Sequence, residues 1–205
     1  KGIAVATDCN SRYTFLDPYN GAAYAVCESA RNVAATGASP YGVTNNLNFG
    51  NPYIPENYYV FSECVKGLGD ACRYLGLPIT GGNVSFYNES PEGPVYPTPT
   101  IGMVGVIDDV KDGLHTYPKK MHGDVAILLV GAFMPTLTAT EYLSVFHKKD
   151  TGKIPDCNLQ NEKNTIDTLL ALHKEGLVLS AKDLSLGGLL VALAKMSIQG
   201  EMGIS

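Results

Sequence analysis

Thr80-Gly81-Gly82-Asn83-Val84-Ser85-Phe86-Tyr87-Asn88-Glu89 follows the short apolar run Leu77-Pro78-Ile79. The run reads as the end of a strand, and the residues after it place two glycines, a side-chain amide and a hydroxyl within residues 81–85. Adjacent glycines let the backbone take positive φ and let a ligand approach closely, and Asn83 and Ser85 share one face if the segment is extended. Such a turn can bind an anion or a metal-bound phosphate through N–H groups, an amide oxygen and a hydroxyl. An ordinary glycine turn between two strands has the same composition. A second stretch bears on the choice: Asn45-Asn46-Leu47-Asn48-Phe49-Gly50-Asn51-Pro52, directly after the expected strand Tyr41–Thr44. Four asparagines in seven positions suit neither helix nor strand. A loop is expected, its amides bonded to its own backbone or to something else.

With 205 residues, 45% apolar and 17% charged, the chain is long enough to bury a core as one large domain or one and a half ordinary ones. A net charge of −5 and the lack of any Lys/Arg block argue against a nucleic-acid groove or an anionic membrane surface. A phosphate ligand would have to be met locally, by metal ions and backbone amides. The five cysteines (Cys9, Cys27, Cys64, Cys72, Cys157) include no C-x-x-C pair, which fits reduced core thiols in a cytoplasmic protein better than a disulfide framework. No apolar run approaches the ~20 residues that span a membrane. Because the chain opens at Lys1-Gly2 and closes at Met202-Gly203-Ile204-Ser205, it is expected to be a piece of something longer.

Along the chain, Ile3–Thr7 reads as a buried strand delivering Asp8-Cys9-Asn10-Ser11-Arg12 at its end. A turn at Asp17-Pro18-Tyr19-Asn20 leads to an alanine-rich helix over 21–36, closed by Gly37. Pro55 to Gly76 is an amphipathic helix with Phe61, Cys64, Val65, Leu68, Ala71, Cys72 and Leu75 at intervals of three and four. Residues 90–99 form a loop and 100–107 a strand. The fold class is therefore α/β (α+β): a sheet-and-helix domain over 1–110, a linker over 111–122, and an incomplete second α/β unit over 123–205. In that unit Val125–Val130 and Leu177–Ala181 are expected strands, 148–164 a loop, and 140–146, 165–175 and 189–199 helices, the first introduced by Thr138-x-x-Glu141.

Asp8–Arg12, Asn45–Asn51 and Gly81–Ser85 each sit at an expected strand end, so in one sheet they line one ligand face, with Asp183–Gly188 supplying another. Hard oxygen donors such as Asp8, Asn45 and Asn83 suit Mg²⁺. Neither a G-x-x-x-x-G-K-[ST] run nor a strand-borne G-x-G-x-x-G is present. Asp8-Cys9-Asn10-Ser11-Arg12-Tyr13, Asp17-Pro18-Tyr19-Asn20-Gly21-Ala22-Ala23, Leu47-Asn48-Phe49-Gly50-Asn51-Pro52, Gly67-Leu68-Gly69-Asp70-Ala71-Cys72, residues 81–89 and Tyr96-Pro97-Thr98-Pro99-Thr100-Ile101-Gly102 resemble the second half of phosphoribosylformylglycinamidine synthase, of the aminoimidazole ribonucleotide synthetase superfamily. Asp183-x-Ser185-x-Gly187-Gly188-Leu189 extends the resemblance into the second unit.

The resemblance implies an ATP-dependent carbon-nitrogen ligase of purine biosynthesis. It activates the amide of formylglycinamide ribonucleotide as an iminophosphate that glutamine-derived ammonia displaces. It implies ATP contacts at Asn45 and Gly82, a Mg²⁺ ligand at Asn83, a substrate contact at Ser85, and no catalytic residue in this half. Its partners would be the missing first half, which carries the family's histidine base, and, in the smaller form of the enzyme, a glutaminase and a small accessory subunit. Alone, the fragment is expected to be inactive and to pair as a homodimer. The alternative is a structural, dimerising half that holds an auxiliary nucleotide without taking part in turnover. The pattern departs at Asn45, where relatives often carry Asp, at Lys182, often His, and at Leu186, usually Asp.

Overall fold

A sheet closed by helices on one side only organises the chain. It is seen in a computed structural model that describes residues 1–119 and 125–204. The expected start of the second unit at Gly123-Asp124, and His122, lie outside the described residues. The elements of the first unit are β1 (Gly2–Asp8), α1 (Ser11–Leu16), α2 (Pro18–Ala34), β2 (Ser39–Asn48), α3 (Pro55–Leu75), β3 (Ile79–Ser85), the short pair β4 (Glu89–Ser90) and β5 (Gly93–Pro94), and β6 (Thr98–Ile107). The sheet order is β1-β6-β2-β3. β6 runs antiparallel to both β1 and β2, and β3 is parallel to β2.

Local signals explain the helices. The Asn10 side chain caps α1 by accepting from the Tyr13 N–H, and Asp17 caps α2 by accepting from the Asn20 N–H, with Pro18 in the first turn. Gly76, at φ 71°, ends α3 in the left-handed conformation that glycine adopts without a steric penalty. Ala22, Ala23, Ala30 and Ala34 are fully buried or nearly so, and these small side chains let α2 lie close to both the sheet and α3. The closest approach is at Gly67 of α3, where a Cβ would fall 2.0 Å from the Tyr19 carbonyl oxygen.

Three expectations fail here. The Asn45–Asn51 loop is largely strand: β2 runs to Asn48. The 81–85 turn is also strand, since β3 runs through both glycines to Ser85. Single-residue propensity is overridden by pairing, because β2 finds hydrogen-bonding neighbours on both sides. Nor is β1 buried on both faces. Ala4, Ala6 and Asp8 face the helices, while Ile3 and Val5 are 75% and 70% exposed on the open side.

The second unit comprises α4 (Glu141–His147), α5 (Leu159–Lys174) and α6 (Gly188–Gly200). The cap of α4 is Thr140, whose hydroxyl accepts from the Leu143 N–H, and not Thr138. α5 starts six residues before its expected position because Asn158 caps it through Asn161 N–H. The polar run 160–164 is the start of a helix, with Gln160, Asn161 and Asn164 exposed and Glu162 turned to Arg31. Val125–Val130 and Leu177–Ala181 are not strands. An extended segment becomes a strand only by ladder pairing, and among the described residues neither finds a ladder partner. Ile166, Leu169 and Leu170 of α5 pack on the core of the first unit. No helix among the described residues is long and apolar enough to cross a membrane.

The Gly67 contact predicts opposite signs at two neighbouring glycines. Gly67→Ala must push α3 off α2 and is expected to cost about 1–3 kcal/mol. Gly69→Ala meets only the Arg73 side chain, at 3.3 Å, and should gain about 0.5–1 kcal/mol of helix propensity. Thermal unfolding followed by circular dichroism checks both.

Candidate functional site

Parallel pairing of β2 with β3 aligns Asn45 with Gly82, Asn46 with Asn83, and Asn48 with Ser85. The row through Asn45 and Gly82 continues across the sheet to Ile101 of β6 and Asp8 of β1. Side chains alternate between faces along a strand, so the four sequence-nominated residues divide into two pairs. Asn45 faces the helix layer, over Gly82. At Gly82 the backbone has φ 154°, and a Cβ would fall 2.4 Å from the Asn45 amide oxygen, so only glycine fits. Asn83 and Ser85 lie on the open face. The structure thus brings the four together on adjacent strands, yet not onto one face. β3 is the sheet's outermost strand. A ligand lying over its edge at Gly81-Gly82, where no side chain intervenes, meets both pairs.

On the open face the amides interlock. Asn48 Nδ2 donates to the Asn46 backbone carbonyl at 3.4 Å and to Asn46 Oδ1 at 3.1 Å, and Asn83 Nδ2 donates to the same Oδ1 at 3.2 Å. Ser85 Oγ accepts from Asn88 Nδ2 at 3.3 Å, and among the described residues its own O–H has no acceptor, so it can donate to a ligand. Asn88 also donates to the carbonyls of Ser85 and Phe49, at 2.9 and 3.1 Å. Phe61 of α3 holds the same strand ends in edge-on contact with Phe49 and Phe86, at centroid distances of 5.4 and 5.1 Å. Asn46, Asn48 and Asn88 stand in the quoted motifs without assigned roles; the asparagine density was the signal for them.

Among the described residues no group of three or more His, Cys, Asp or Glu is arranged to hold a metal ion. A cation at the open face would therefore take a neutral amide oxygen from this chain and its remaining ligands from phosphate oxygens and water. Mg²⁺ at nucleotide sites keeps several waters and bridges phosphate oxygens, commonly with one or two carboxylates; this face supplies the neutral oxygen and no carboxylate. The chemistry open to such a face is binding and charge neutralisation. His115, His147 and His173 lie in the segment after β6, in α4 and in α5.

Asp8 and Asp183 do not join the open face. They belong to a charged cluster behind the sheet, where Asn32 donates to Asp8 Oδ1 at 3.0 Å. Arg31 Nε donates to Asp183 Oδ1 at 2.8 Å, and its Nη1 pairs with Glu162 of α5. The Asp183 side chain is 1% exposed. Burial lowers the affinity of Arg31 for its proton, but the two carboxylates more than compensate and hold it charged. Glu28 is pushed up to about 7, first by burial, then by the Asp183 and Asp8 carboxylates. The cluster ties α2 of the first unit to α5 and the 181–187 segment of the second.

With that geometry in place, the likeness to known proteins is specific. Residues 1–107 match the AIR synthase related protein, N-terminal domain, and residues 122–205 match the AIR synthase related protein, C-terminal domain. The chain belongs to the AIR synthase related family. It is 74% identical over 204 residues to phosphoribosylformylglycinamidine synthase subunit PurL of Leptospira biflexa serovar Patoc, a match covering 100% of this chain and 27% of that protein. The fold is similar to that of Thermotoga maritima PurL complexed with AMPPCP, with TM-score 0.64 and 26% identity over 88% of this chain and 26% of that one. It is likewise similar to Thermotoga maritima PurL complexed with FGAR, with TM-score 0.65 and 25% identity over 95% and 27%. The chain spans about 27% of the length of the curated relatives it matches.

Glu28 carries a pH prediction. Its folded-state value of about 7 stands above the ordinary 4.5, so the folded chain holds the proton more tightly than the unfolded one. Stability should be fully present below about pH 4.5 and decline as pH rises towards 7. Glu28→Gln should flatten that decline and raise the melting temperature at pH 8. A scan of melting temperature against pH for both proteins tests it.

Proposed function

We propose that this chain is part of the ATP-dependent ligase that converts formylglycinamide ribonucleotide and glutamine-derived ammonia to formylglycinamidine ribonucleotide. The observation that carries the reading is the paired row at the β2–β3 edge, a glycine pair beside an amide and an outward-donating hydroxyl. It occurs in a chain similar to PurL proteins solved with AMPPCP and with FGAR.

In this reading Asn45 and Gly82 receive ATP. The bare backbone of Gly81-Gly82 lets the triphosphate lie against the strand edge, and the Asn45 amide, fixed over Gly82, meets it from the helix side. Asn83 offers its amide oxygen to Mg²⁺, and Ser85 donates its hydroxyl to the ribonucleotide. When bound, the metal neutralises phosphate charge during transfer to the substrate amide oxygen. Ammonia then attacks the activated carbon of the iminophosphate so formed, and inorganic phosphate leaves as the C–O bond breaks. Transfer of this kind depends mainly on positioning and electrostatics, and the residues of this face supply those. No general base stands among them, so the proton acceptor belongs to the missing first half, and the fragment alone is expected to be inactive.

The open face of the sheet belongs to the same proposal. Ile3, Val5 and Val104 are exposed on that face, towards the end of the sheet away from the amides, and an exposed apolar patch suits a partner surface. Its occupant is the first half of the parent protein, or a second copy when that half is absent. The word subunit in the Leptospira relative's name supports further partner chains, which the resemblance gives as a glutaminase and a small accessory subunit. The five free cysteines support a cytoplasmic setting.

In the full-length protein, Asn83→Ala and Ser85→Ala should each lose about 2–4 kcal/mol of transition-state stabilisation in kcat/KM, the scale for a group facing the reacting phosphate. Unchanged turnover would instead favour the scaffold alternative, in which this half holds an auxiliary nucleotide. Light scattering should show the isolated chain as a dimer; a monomer at high concentration would argue against the open face as an interface.

A further inference from the structure

We infer that Asn46 is a positioning residue that turns the Asn83 amide so that its oxygen, and not its nitrogen, is presented to the metal-chelated phosphate. The inference rests on the proposed metal contact at Asn83 and adds the group that sets its orientation. An asparagine amide can be turned over with almost no change in shape, and only its partners decide which atom faces a ligand. Here the partners form a chain that starts from the backbone.

The Asn46 backbone carbonyl can only accept, so the atom of Asn48 lying 3.4 Å from it is the nitrogen. That nitrogen also lies 3.1 Å from the side-chain amide of Asn46, so the atom it meets there is the acceptor, Oδ1. Asn46 Oδ1 in turn can take only a donor from Asn83, 3.2 Å away, which fixes Asn83 Nδ2 inward. Among the described residues Asn83 Oδ1 has no protein partner, and it stands on an exposed strand face. A turned Asn83 would set two oxygens against each other at Asn46 and offer N–H donors to a cation. Both effects oppose metal binding. The register that pairs Asn46 with Asn83 and Asn48 with Ser85 places this orienting chain along the nominated residues, on their own face of the sheet.

The test uses the full-length protein with a non-hydrolysable ATP analogue, and titrates Mn²⁺ as a spectroscopic substitute for Mg²⁺, reading free Mn²⁺ by electron paramagnetic resonance. Asn83→Ala establishes whether the metal contact exists. Asn46→Ala is expected to weaken Mn²⁺ binding about 10-fold or more, the usual scale for losing a group that orients a ligand. The same substitution in an Asn83→Asp background should have no further effect, because a carboxylate presents oxygen whichever way it is turned. A loss of folding would strike both backgrounds alike, so the difference between them isolates orientation. If Asn83→Ala weakens Mn²⁺ binding while Asn46→Ala does not, or does so equally in both backgrounds, the positioning role is overturned and the Asn83 contact stands. If Asn83→Ala leaves Mn²⁺ binding unchanged, the metal reading fails and the role of Asn46 fails with it.

Discussion

Parallel hydrogen bonding between β2 and β3 is the constraint on which the site depends. It places Asn46 beside Asn83 and Asn45 beside Gly82, and a one-residue slip would exchange the two faces for every side chain on β3. The register is held from both ends. At the start of β3, Gly76 turns the chain out of α3 and the Val43 N–H bonds to the Pro78 carbonyl at 2.9 Å. At the far end Asn88 bonds back to Ser85 and Phe49, and Phe86 packs on Phe61. An edge strand bearing two glycines has little intrinsic preference for extended structure, and these anchors supply it.

The one-sided helix layer produces the second property of the fold. Because α2 and α3 cover only one face, polar side chains on the other remain available for a ligand while the core stays apolar. The uncovered face also exposes Ile3 and Val5, and the segments 125–130 and 177–181 leave Leu128 and Leu177 largely exposed. Charge joins the two units as well as the apolar packing of α5 on the core. Arg31 reaches Glu162 and Asp183, and Arg12 reaches Glu141 and Asp150. Removing Arg31 would leave the buried Asp183 carboxylate charged and without its cation, which costs more than the pair itself stabilises.

Much of the first unit was legible in the sequence because its signals were local. Helical spacing located α3, alanine content gave the packing of α2, and Gly76 marked a helix end. Asparagine and glycine favour turns when judged residue by residue, so the two stretches that carry the site resemble a loop and a turn. Their strand character comes from neighbours distant in sequence, β6 above all, which no local pattern reveals. Period-two alternation alone puts Asn83 and Ser85 on one face. Assigning Asn45 and Gly82 to the opposite face required the register. In the second unit the Asn158 cap is hidden in the sequence because the polar residues after it resemble a loop, although they form the first turns of α5. The strands expected at 125–130 and 177–181 fail for the converse reason, since apolar β-branched runs propose a strand but only a paired neighbour makes one.

The central claim is that the end of β3 presents an amide oxygen and a hydroxyl to a metal-chelated triphosphate and a ribonucleotide. A crystal structure of the full-length protein with Mn²⁺, a non-hydrolysable ATP analogue and formylglycinamide ribonucleotide tests it most directly, with the metal located by its anomalous scattering. The account predicts a metal about 2.1 Å from Asn83 Oδ1 with the Ser85 hydroxyl bonded to the ribonucleotide. A metal and nucleotide bound away from the β2–β3 edge, with Asn83 and Ser85 touching neither, would contradict it.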